Sequence, residues 1–366
     1  MDIALLTTGA DAPAIEHWIR GAKGGPYAVR HLPLATLQDS AGPLEARVNE
    51  LLAEPDVGAV IVLSRCAAAS AAVRQAAQAG LPVLCLVPVE ASLDVHYELA
   101  VLAEQAGARL YPYWPQRLDP CYEQLRARAH AVRSAPTVLD VILGAETAQL
   151  AFDPGFLLAN ALAAGMGYLP EEVLALRDPD GTVRVVGERS DGHTVQFLVK
   201  SSQEPGFRVS LRSETESRPE LCWRCSERCR LESAHATLSD HATDDAERRL
   251  VQAFLQAAGG SEVELATWDE LLRALEVAEA VRRSLGRRRA VTVRAGLASP
   301  ETQFKAAMTM WGCGLLSALV VLLPAIALLE FIGLRGHHLA MAILVALLVA
   351  LGLFLLAQFL KPPAQN

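Results

Sequence analysis

The sequence lacks an excess of positive charge. Its 33 Lys and Arg residues are outnumbered by 41 Asp and Glu residues, and the net charge is −8. Proteins that bind nucleic acids usually carry a basic patch or stripe on their surface. We therefore expect no nucleic-acid partner for this chain.

The N-terminus lacks the basic stretch and the short apolar stretch of a cleavable secretory signal. The chain instead begins with a predicted strand, Asp2–Thr7. Seven cysteines in a chain without such a signal are expected to be reduced thiols in the cytoplasm.

The first strand–helix turn lacks two of the three glycines of a dinucleotide-binding loop. In the pattern Gly-x-Gly-x-x-Gly they allow a tight turn, admit the pyrophosphate and let the helix approach the strand. Here Thr7 and Ala12 stand at the first and third places, and Gly9 keeps the second. The second predicted strand, Tyr27–His31, is not closely followed by an acidic residue for a ribose hydroxyl. A structural turn is the simpler interpretation.

A strand–helix–strand unit is nevertheless clear before Pro88. It consists of two short apolar runs, typical of strands covered on both faces, that flank an Ala-rich helix: Gly58–Leu63, Ala67–Ala79 and Val83–Val87. Such units build parallel sheets, whose crevice lies at the carboxyl ends of the strands. The segments expected at that edge are Ser64-Arg65-Cys66 and Leu86-Val87-Pro88.

The second half of the chain predicts a strand-rich domain with a closing helix. Three segments show the apolar patterning and turn signals of strands: Thr182–Val186, Thr194–Val199 and Phe207–Arg212. Thr267 and Glu270 then form a capping box. Apolar residues recur on one helical face from there, and Gly286 is predicted to end the helix.

Together these segments resemble the Gfo/Idh/MocA oxidoreductases, the group of glucose–fructose oxidoreductase and inositol dehydrogenase. The matching features are spread over residues 1–295: Asp56-Val-Gly-Ala-Val-Ile-Val, Ala79-Gly80, Val83-Leu-Cys before Pro88, Arg117-x-x-Pro120, Asp153-x-Gly155, Pro170-Glu-Glu-Val173, the helix from Thr267 to Ser284 and the strand Arg289–Val293. The resemblance implies an α/β fold with two domains. A Rossmann-like domain would cover residues 1–130, and an α+β domain with a large, open, mostly antiparallel sheet would cover residues 131–295.

The resemblance also implies where the chemistry would occur, and aliphatic residues stand at those positions. The family lysine, which helps to move the substrate proton and to position the nicotinamide, corresponds to Val87. In the second-domain motif Asp153 is kept, whereas the acid/base histidine corresponds to Leu157 and the second carboxylate to Asn160. A further family histidine corresponds to Ala69. Because general acid–base catalysis contributes roughly 10²–10⁴-fold to rates, we expect an inactive homologue with no bound cofactor.

Other residues near these edges remain candidates for cofactor binding: Gly9, Ser64, Arg65, Pro88 and Arg117. A second set can also bind a small anionic or sugar-like ligand: Arg65, Tyr113, Trp114, Arg117 and Asp153. An equally good interpretation is that they only stabilise the boundary between the two domains.

Three cysteines close together raise the question of a metal site. Cys222 and Cys225, with His235 and His241, approach the paired Cys and His spacings of zinc sites. The segment between them, however, has the pattern of strands at a sheet edge, and a second Cys pair is missing. We therefore favour solvated strands with incidental cysteines, and we assign no metal.

A transmembrane hairpin is predicted over residues 308–360, after a linker at residues 296–307. Met308–Leu329 and Leu339–Leu360 carry no charged residue, and each is long enough to span a hydrocarbon core of about 30 Å. Basic residues flank the pair on both outer sides, whereas the loop between them carries Arg335 as its one Lys or Arg. By the positive-inside rule, both termini and the large domains are expected on the cytoplasmic side of the inner membrane of a bacterium.

These observations predict a membrane-anchored homologue of the oxidoreductases that serves as a binding, regulatory or scaffold protein. Its expected partners are the lipid bilayer, a membrane protein and, by resemblance alone, a second copy bound through the second-domain sheet. The alternative is an NAD(P)-dependent oxidoreductase that acts on a sugar or a sugar-derived substrate with non-standard catalytic residues.

Overall fold

The structure is a computed structural model that describes residues 1–7, 12–22, 27–33, 44–132, 137–144, 147–200, 207–213, 221–226, 228–233 and 236–293. Residues 1–295 form one compact unit. The second unit, residues 296–366, lies outside the described residues.

The first half of this unit contains a parallel sheet. Its strands are β1 (Asp2–Thr7), β2 (Ala28–Pro33), β3 (Val57–Leu63), β4 (Val83–Cys85) and β5 (Leu110–Pro112). The intervening helices are α1 (Ala12–Arg20), α2 (Leu44–Leu52), α3 (Ala67–Gln78), α4 (Leu93–Ala106) and α5 (Pro120–Ala131). The five strands lie in the order β2-β1-β3-β4-β5, and all their pairings are parallel. The predicted Rossmann-like sheet is confirmed.

Strand β4 ends at Cys85, two residues before the predicted end at Val87. Its partner β5 pairs through three residues and ends at Pro112, which lies opposite Cys85. The N–H of Tyr113 still donates to the carbonyl of Cys85 at 2.7 Å, and the N–H of Leu86 donates to the carbonyl of Val62 on β3 at 3.0 Å. Val87 and Pro88 follow these bonds at the carboxyl edge of the sheet.

The second half contains a nine-stranded sheet in the order β13-β12-β11-β10-β6-β9-β8-β7-β14. Its strands are β6 (Thr137–Gly144), β7 (Glu172–Arg177), β8 (Val183–Glu188), β9 (Thr194–Lys200), β10 (Phe207–Ser213), β11 (Leu221–Cys225), β12 (Arg228–Ser233), β13 (Thr237–Ala242) and β14 (Val291–Thr292). The helices are α6 (Pro154–Gly165), α7 (Asp244–Ala258) and α8 (Trp268–Arg287). The described pairings are antiparallel except for β6 with β9.

Helix α8 confirms the predicted closing helix but differs at its end. The side chain of Thr267 accepts a hydrogen bond from the N–H of Glu270, as the capping box requires. Gly286 lies inside the helix rather than ending it. The helix continues to Arg287, and the next residue, Arg288, adopts a left-handed conformation with φ 51°. This helix end therefore requires a residue in the αL conformation, and that residue is not a glycine.

The domain boundary predicted at residue 130 does not coincide with the boundary between the packed layers. Helix α7 returns from the second half of the chain to the first sheet. There Leu250, Val251 and Phe254 share a core with Ile3 and Ile61. The opposite face of the same sheet packs against α3 and α4. Both faces of the first sheet are therefore buried, one of them by α1 together with α7, a helix that follows β13 in the chain.

Among the described residues, no helix is long and apolar enough to cross a membrane. The predicted linker at residues 296–307 and the predicted hairpin at residues 308–360 lie outside the described residues.

Replacement of Ser284 tests the contact between α8 and the second sheet. Its buried hydroxyl donates to the carbonyl of Arg289 at 2.7 Å and accepts from the N–H of Ala175 at 2.9 Å. Ser284→Ala leaves both groups without this partner, and we expect a loss of about 1–3 kcal/mol in the free energy of unfolding. Urea denaturation followed by tryptophan fluorescence measures it. Ser261→Ala, at an exposed position, is the control, and equal midpoints for the two variants would contradict this account.

Candidate functional site

The carboxyl edge of β3 places the segment Ser64-Arg65-Cys66 where the sequence predicts it. Ser64 is buried, and its hydroxyl donates to the sulfur of Cys66 at 3.3 Å. Cys66 is the N-cap residue of α3, and its carbonyl accepts from the N–H groups of Ala69 and Ser70. Arg65 stands between these two anchored residues, so its backbone is fixed at the edge of the sheet.

Arg65 and Asp153 come from the two halves of the chain and lie close enough to interact. Arg65 is solvent-accessible, yet protein covers enough of it that burial lowers the pKa of its guanidinium. The negative charge of Asp153 partly offsets that effect. Asp153 is itself fixed as the N-cap of α6, where its Oδ1 accepts from the N–H of Phe156 at 2.9 Å. The structure thus brings together two of the residues predicted for the site.

The positions expected for acid and base groups are buried and apolar. Val87 is 2% exposed and Leu157 is 0% exposed, and both belong to the hydrophobic core. Pro88, after a cis peptide bond to Val87, is also buried. These aliphatic side chains can neither donate nor accept a proton, so any proton transfer at this site requires other groups.

Asn160, one turn after Leu157, is the polar residue on the buried side of α6. It is 1% exposed, and its amide N–H donates to the carbonyl of Phe156 at 2.8 Å. Its Oδ1 is buried and has no hydrogen-bond partner among the described residues. A buried acceptor left without a donor costs about 1–3 kcal/mol. Asn160 therefore offers an unfilled acceptor at the position where the resemblance implies a carboxylate.

Arg117 is bound to a residue of the second half, Glu270, rather than free for a cofactor phosphate. Its guanidinium donates to Glu270 on α8 at 3.0 Å and lies 5.6 Å from the ring centroid of Tyr122. The Arg117 side chain is 10% exposed. Such a half-buried, hydrogen-bonded pair is typical of a contact between layers, which agrees with the second interpretation of this residue.

His96 lies near the same edge but was not identified from the sequence. Its Nε2 accepts from the N–H of Val89 at 3.1 Å, so its Nδ1 carries the hydrogen and donates to the carbonyl of Ser92 at 2.7 Å. Burial lowers the pKa of His96, and the ring stacks on Trp268. Both nitrogens are therefore occupied in holding residues 89–92, and the ring is a structural element.

The residues weighed for zinc do not come together as the sequence suggests. Cys225 points into the core beside Trp223, whereas Cys222 lines a groove on the other face of the same strand. His235 lies outside the described residues, as does Gly9 of the cofactor candidates. His241 lies instead beside Asp119 and Cys229, two residues that sequence reasoning did not connect with it. Strand register, which links residues far apart in the chain, places Cys229 opposite His241. Asp119 reaches them from the N-terminus of α5.

The face of the nine-stranded sheet that carries Cys222 forms a groove of about 720 Å³. Charged residues of both signs line it, among them Asp140, Arg208, Arg224 and Glu232. Self-association through this face stays a prediction.

Comparison with known proteins addresses the fold. No protein-family model matches the chain, and neither does any curated protein. Solved structures do match. A probable dehydrogenase from Thermotoga maritima has 17% sequence identity over 81% of this chain and 100% of its own, with a TM-score of 0.61. An oxidoreductase from Agrobacterium radiobacter, in complex with NAD+, L-tartaric acid and magnesium, has 14% identity over 81% of this chain and 99% of its own, with a TM-score of 0.60.

An inositol dehydrogenase homologue from Azotobacter vinelandii, complexed with NADH and myo-inositol, has 12% identity over 80% of this chain and 97% of its own, with a TM-score of 0.62. At these identities the likeness establishes the fold. The chain folds as these oxidoreductases do, with inositol dehydrogenases among the structures that share its architecture, as the resemblance in the sequence implied.

Proposed function

We propose that this chain is an NAD(P)-dependent oxidoreductase that acts on a sugar or another polyhydroxylated substrate. The observation that carries the proposal is the meeting of Arg65 and Asp153 at the carboxyl edge of the first sheet, with the second sheet's helix α6 beside it. In open α/β sheets this edge is where ligands bind. Structures of the same fold were obtained with NAD+ and with NADH.

The sequence at the first strand–helix turn is compatible with a dinucleotide although two glycines are missing. Ala12, at the third glycine's place, is buried in one cluster with Ile3 and Leu5 of β1. Its methyl group therefore fits between helix and sheet without separating them. Gly9, at the second place, has no β-carbon to obstruct a pyrophosphate.

The chain's own residues would bind and orient the reactants. A bound nicotinamide supplies a carbon that accepts or donates hydride. Arg65 supplies a positive charge for a phosphate of the cofactor or for an anionic group of the substrate. The unpartnered Oδ1 of Asn160 accepts a hydrogen bond from a hydroxyl group. Val87 and Leu157 do not transfer protons. The half-buried carboxylate of Asp153 is therefore our candidate for a base among the described residues of this site.

A second candidate function is an inactive homologue that binds, regulates or scaffolds other proteins. The specific observation in its favour is the burial of Val87 and Leu157, at 2% and 0% exposure, at the two positions where proton-transfer groups are expected. The two functions differ in cofactor affinity and in turnover, so one purified preparation distinguishes them.

Calorimetric titration of the full chain with NAD+, NADP+, NADH and NADPH tests the proposal. We expect micromolar binding of at least one nucleotide and a dissociation constant roughly 10–100-fold higher for Arg65→Ala, because a charge-assisted hydrogen bond contributes about 1.5–3 kcal/mol. Arg74→Ala is the matched control, since Arg74 lies on the neighbouring helix α3 and pairs with Glu98. Absence of binding with all four nucleotides would instead support the inactive homologue. So would binding without turnover on a panel of sugars and polyols.

We further propose that residues 308–360 anchor the chain in the cytoplasmic membrane, with both termini and residues 1–295 on the cytoplasmic side. The support is the sequence, namely two long runs without charge and the distribution of Lys and Arg around them.

Fractionation of bacterial cells tests this anchor. We expect the full chain in the membrane fraction, resistant to extraction by high salt and by alkaline carbonate, because a transmembrane helix is held by apolar burial rather than by charge. A chain that ends at residue 295 should be in the soluble fraction. Recovery of the full chain in the soluble fraction would contradict the anchor, and digestion of residues 1–295 by protease added to intact spheroplasts would contradict the orientation.

A further inference from the structure

A row of three metal-binding side chains crosses the edge of the nine-stranded sheet. In the strand register Cys225 of β11 lies directly opposite Cys229 of β12, which in turn lies directly opposite His241 of β13. Directly opposed residues point to the same face, with β-carbons about 4.5–5.5 Å apart. Here that face is covered by the N-terminus of α5, which carries Asp119.

The ligand atoms of Asp119, Cys229 and His241 all lie within 4.8 Å of one another. The Nε2 of His241 is 3.1 Å from the Oδ2 of Asp119. Two ligands about 2.0–2.1 Å from one tetrahedral zinc ion lie about 3.3 Å apart. This pair is therefore already close to the spacing that a shared zinc ion requires. Cys225 lies directly opposite Cys229 in the register and stands next in the row, outside the group of three whose ligand atoms lie within 4.8 Å of one another.

The carboxylate of Asp119 is held in place by the helix that it caps. Its Oδ1 accepts from the N–H groups of Cys121 and Tyr122, at 2.7 and 3.3 Å. Oδ2 is thereby directed towards His241. Asp119 is 0% exposed, so its charge needs compensation, and a bound cation supplies it.

Neighbouring residues complete the environment of a metal site. The Nδ1 of His241 lies 3.8 Å from the sulfur of Cys121, which leaves Nε2 for a metal and gives Nδ1 an acceptor. Cys225 and Cys229 are both buried, at 4% and 0% exposure, so protein encloses the two thiols. The side chain of His241 is 17% exposed, which gives an ion a path from solvent.

We propose that Asp119, Cys229 and His241 bind a zinc ion, with the thiol of Cys225 as the fourth ligand. Sulfur, imidazole and carboxylate ligands in a tetrahedral arrangement favour zinc over calcium or magnesium. Binding replaces the S–H protons of Cys225 and Cys229 by metal–sulfur bonds and releases two protons, with no change in oxidation state. The ion ties the edge strands β12 and β13 to the N-terminus of α5. Its role is structural.

Elemental analysis of the full chain, purified in detergent with a reductant and without chelator, tests the proposal. We expect about one zinc ion per chain in the wild type and in Cys222→Ser, which changes a cysteine on the other face of β11. The ion should be lost, to below about a tenth of that content, in Cys229→Ser and in His241→Ala. Equal zinc content in the wild type and in both ligand variants would overturn the proposal.

Cobalt titration of the metal-depleted wild type removes any dependence on how the variants fold. We expect saturation at one equivalent, with an intense sulfur-to-cobalt charge-transfer band and the visible bands of tetrahedral cobalt, both absent in Cys229→Ser. Addition of zinc should displace the cobalt and raise the melting temperature. A titration without a charge-transfer band, or zinc addition without a shift in melting, would also overturn the proposal.

Discussion

The two sheets are held in a fixed arrangement because helix α8 buries one face against elements of both. Near its start, the indole of Trp268 donates to the carbonyl of His96 at 3.0 Å, and Glu270 accepts from Arg117 at 3.0 Å. About two turns after Trp268, the hydroxyl of Tyr97 donates to the buried Glu276. Near its end, Ser284 bonds to the backbone of the second sheet. The edge that carries Arg65 and the helix that carries Asp153 depend on this arrangement, since neither residue positions the other.

Local sequence signals were sufficient where a structure is made from neighbouring residues. The apolar runs of β3 and β4, the Ala-rich α3 between them, and the capping box of α8 are all present, because each depends on contacts a few residues apart. The strand pattern of β8, β9 and β10 was equally clear, since one face of each is buried and the other is not. The second sheet's mostly antiparallel character came from the resemblance.

What could not be predicted depends on contacts distant in sequence. Nothing local indicates that β6 pairs in parallel with β9, or that α7 covers the first sheet. The neighbourhood of Asp119 and His241 joins residues 122 positions apart. The sequence suggested a metal pair in Cys222 and Cys225 from their spacing, but a spacing of three along a strand puts two side chains on opposite faces. At the candidate active site the residue identities were readable, whereas the burial of Val87 and the missing partner of Asn160 were not.

The return of α7 to the first sheet has a consequence for the order in which the protein is made. Ile3 and Leu5 emerge from the ribosome early, whereas Leu250 and Phe254, which help to cover them, emerge after β13 of the second sheet. Domains generally fold as units during synthesis, N-terminal domain first. Here α1 covers part of this face of the first sheet, and the part under α7 stays open until α7 is synthesised. The topology thus favours contact between a chaperone and the half-covered sheet during synthesis.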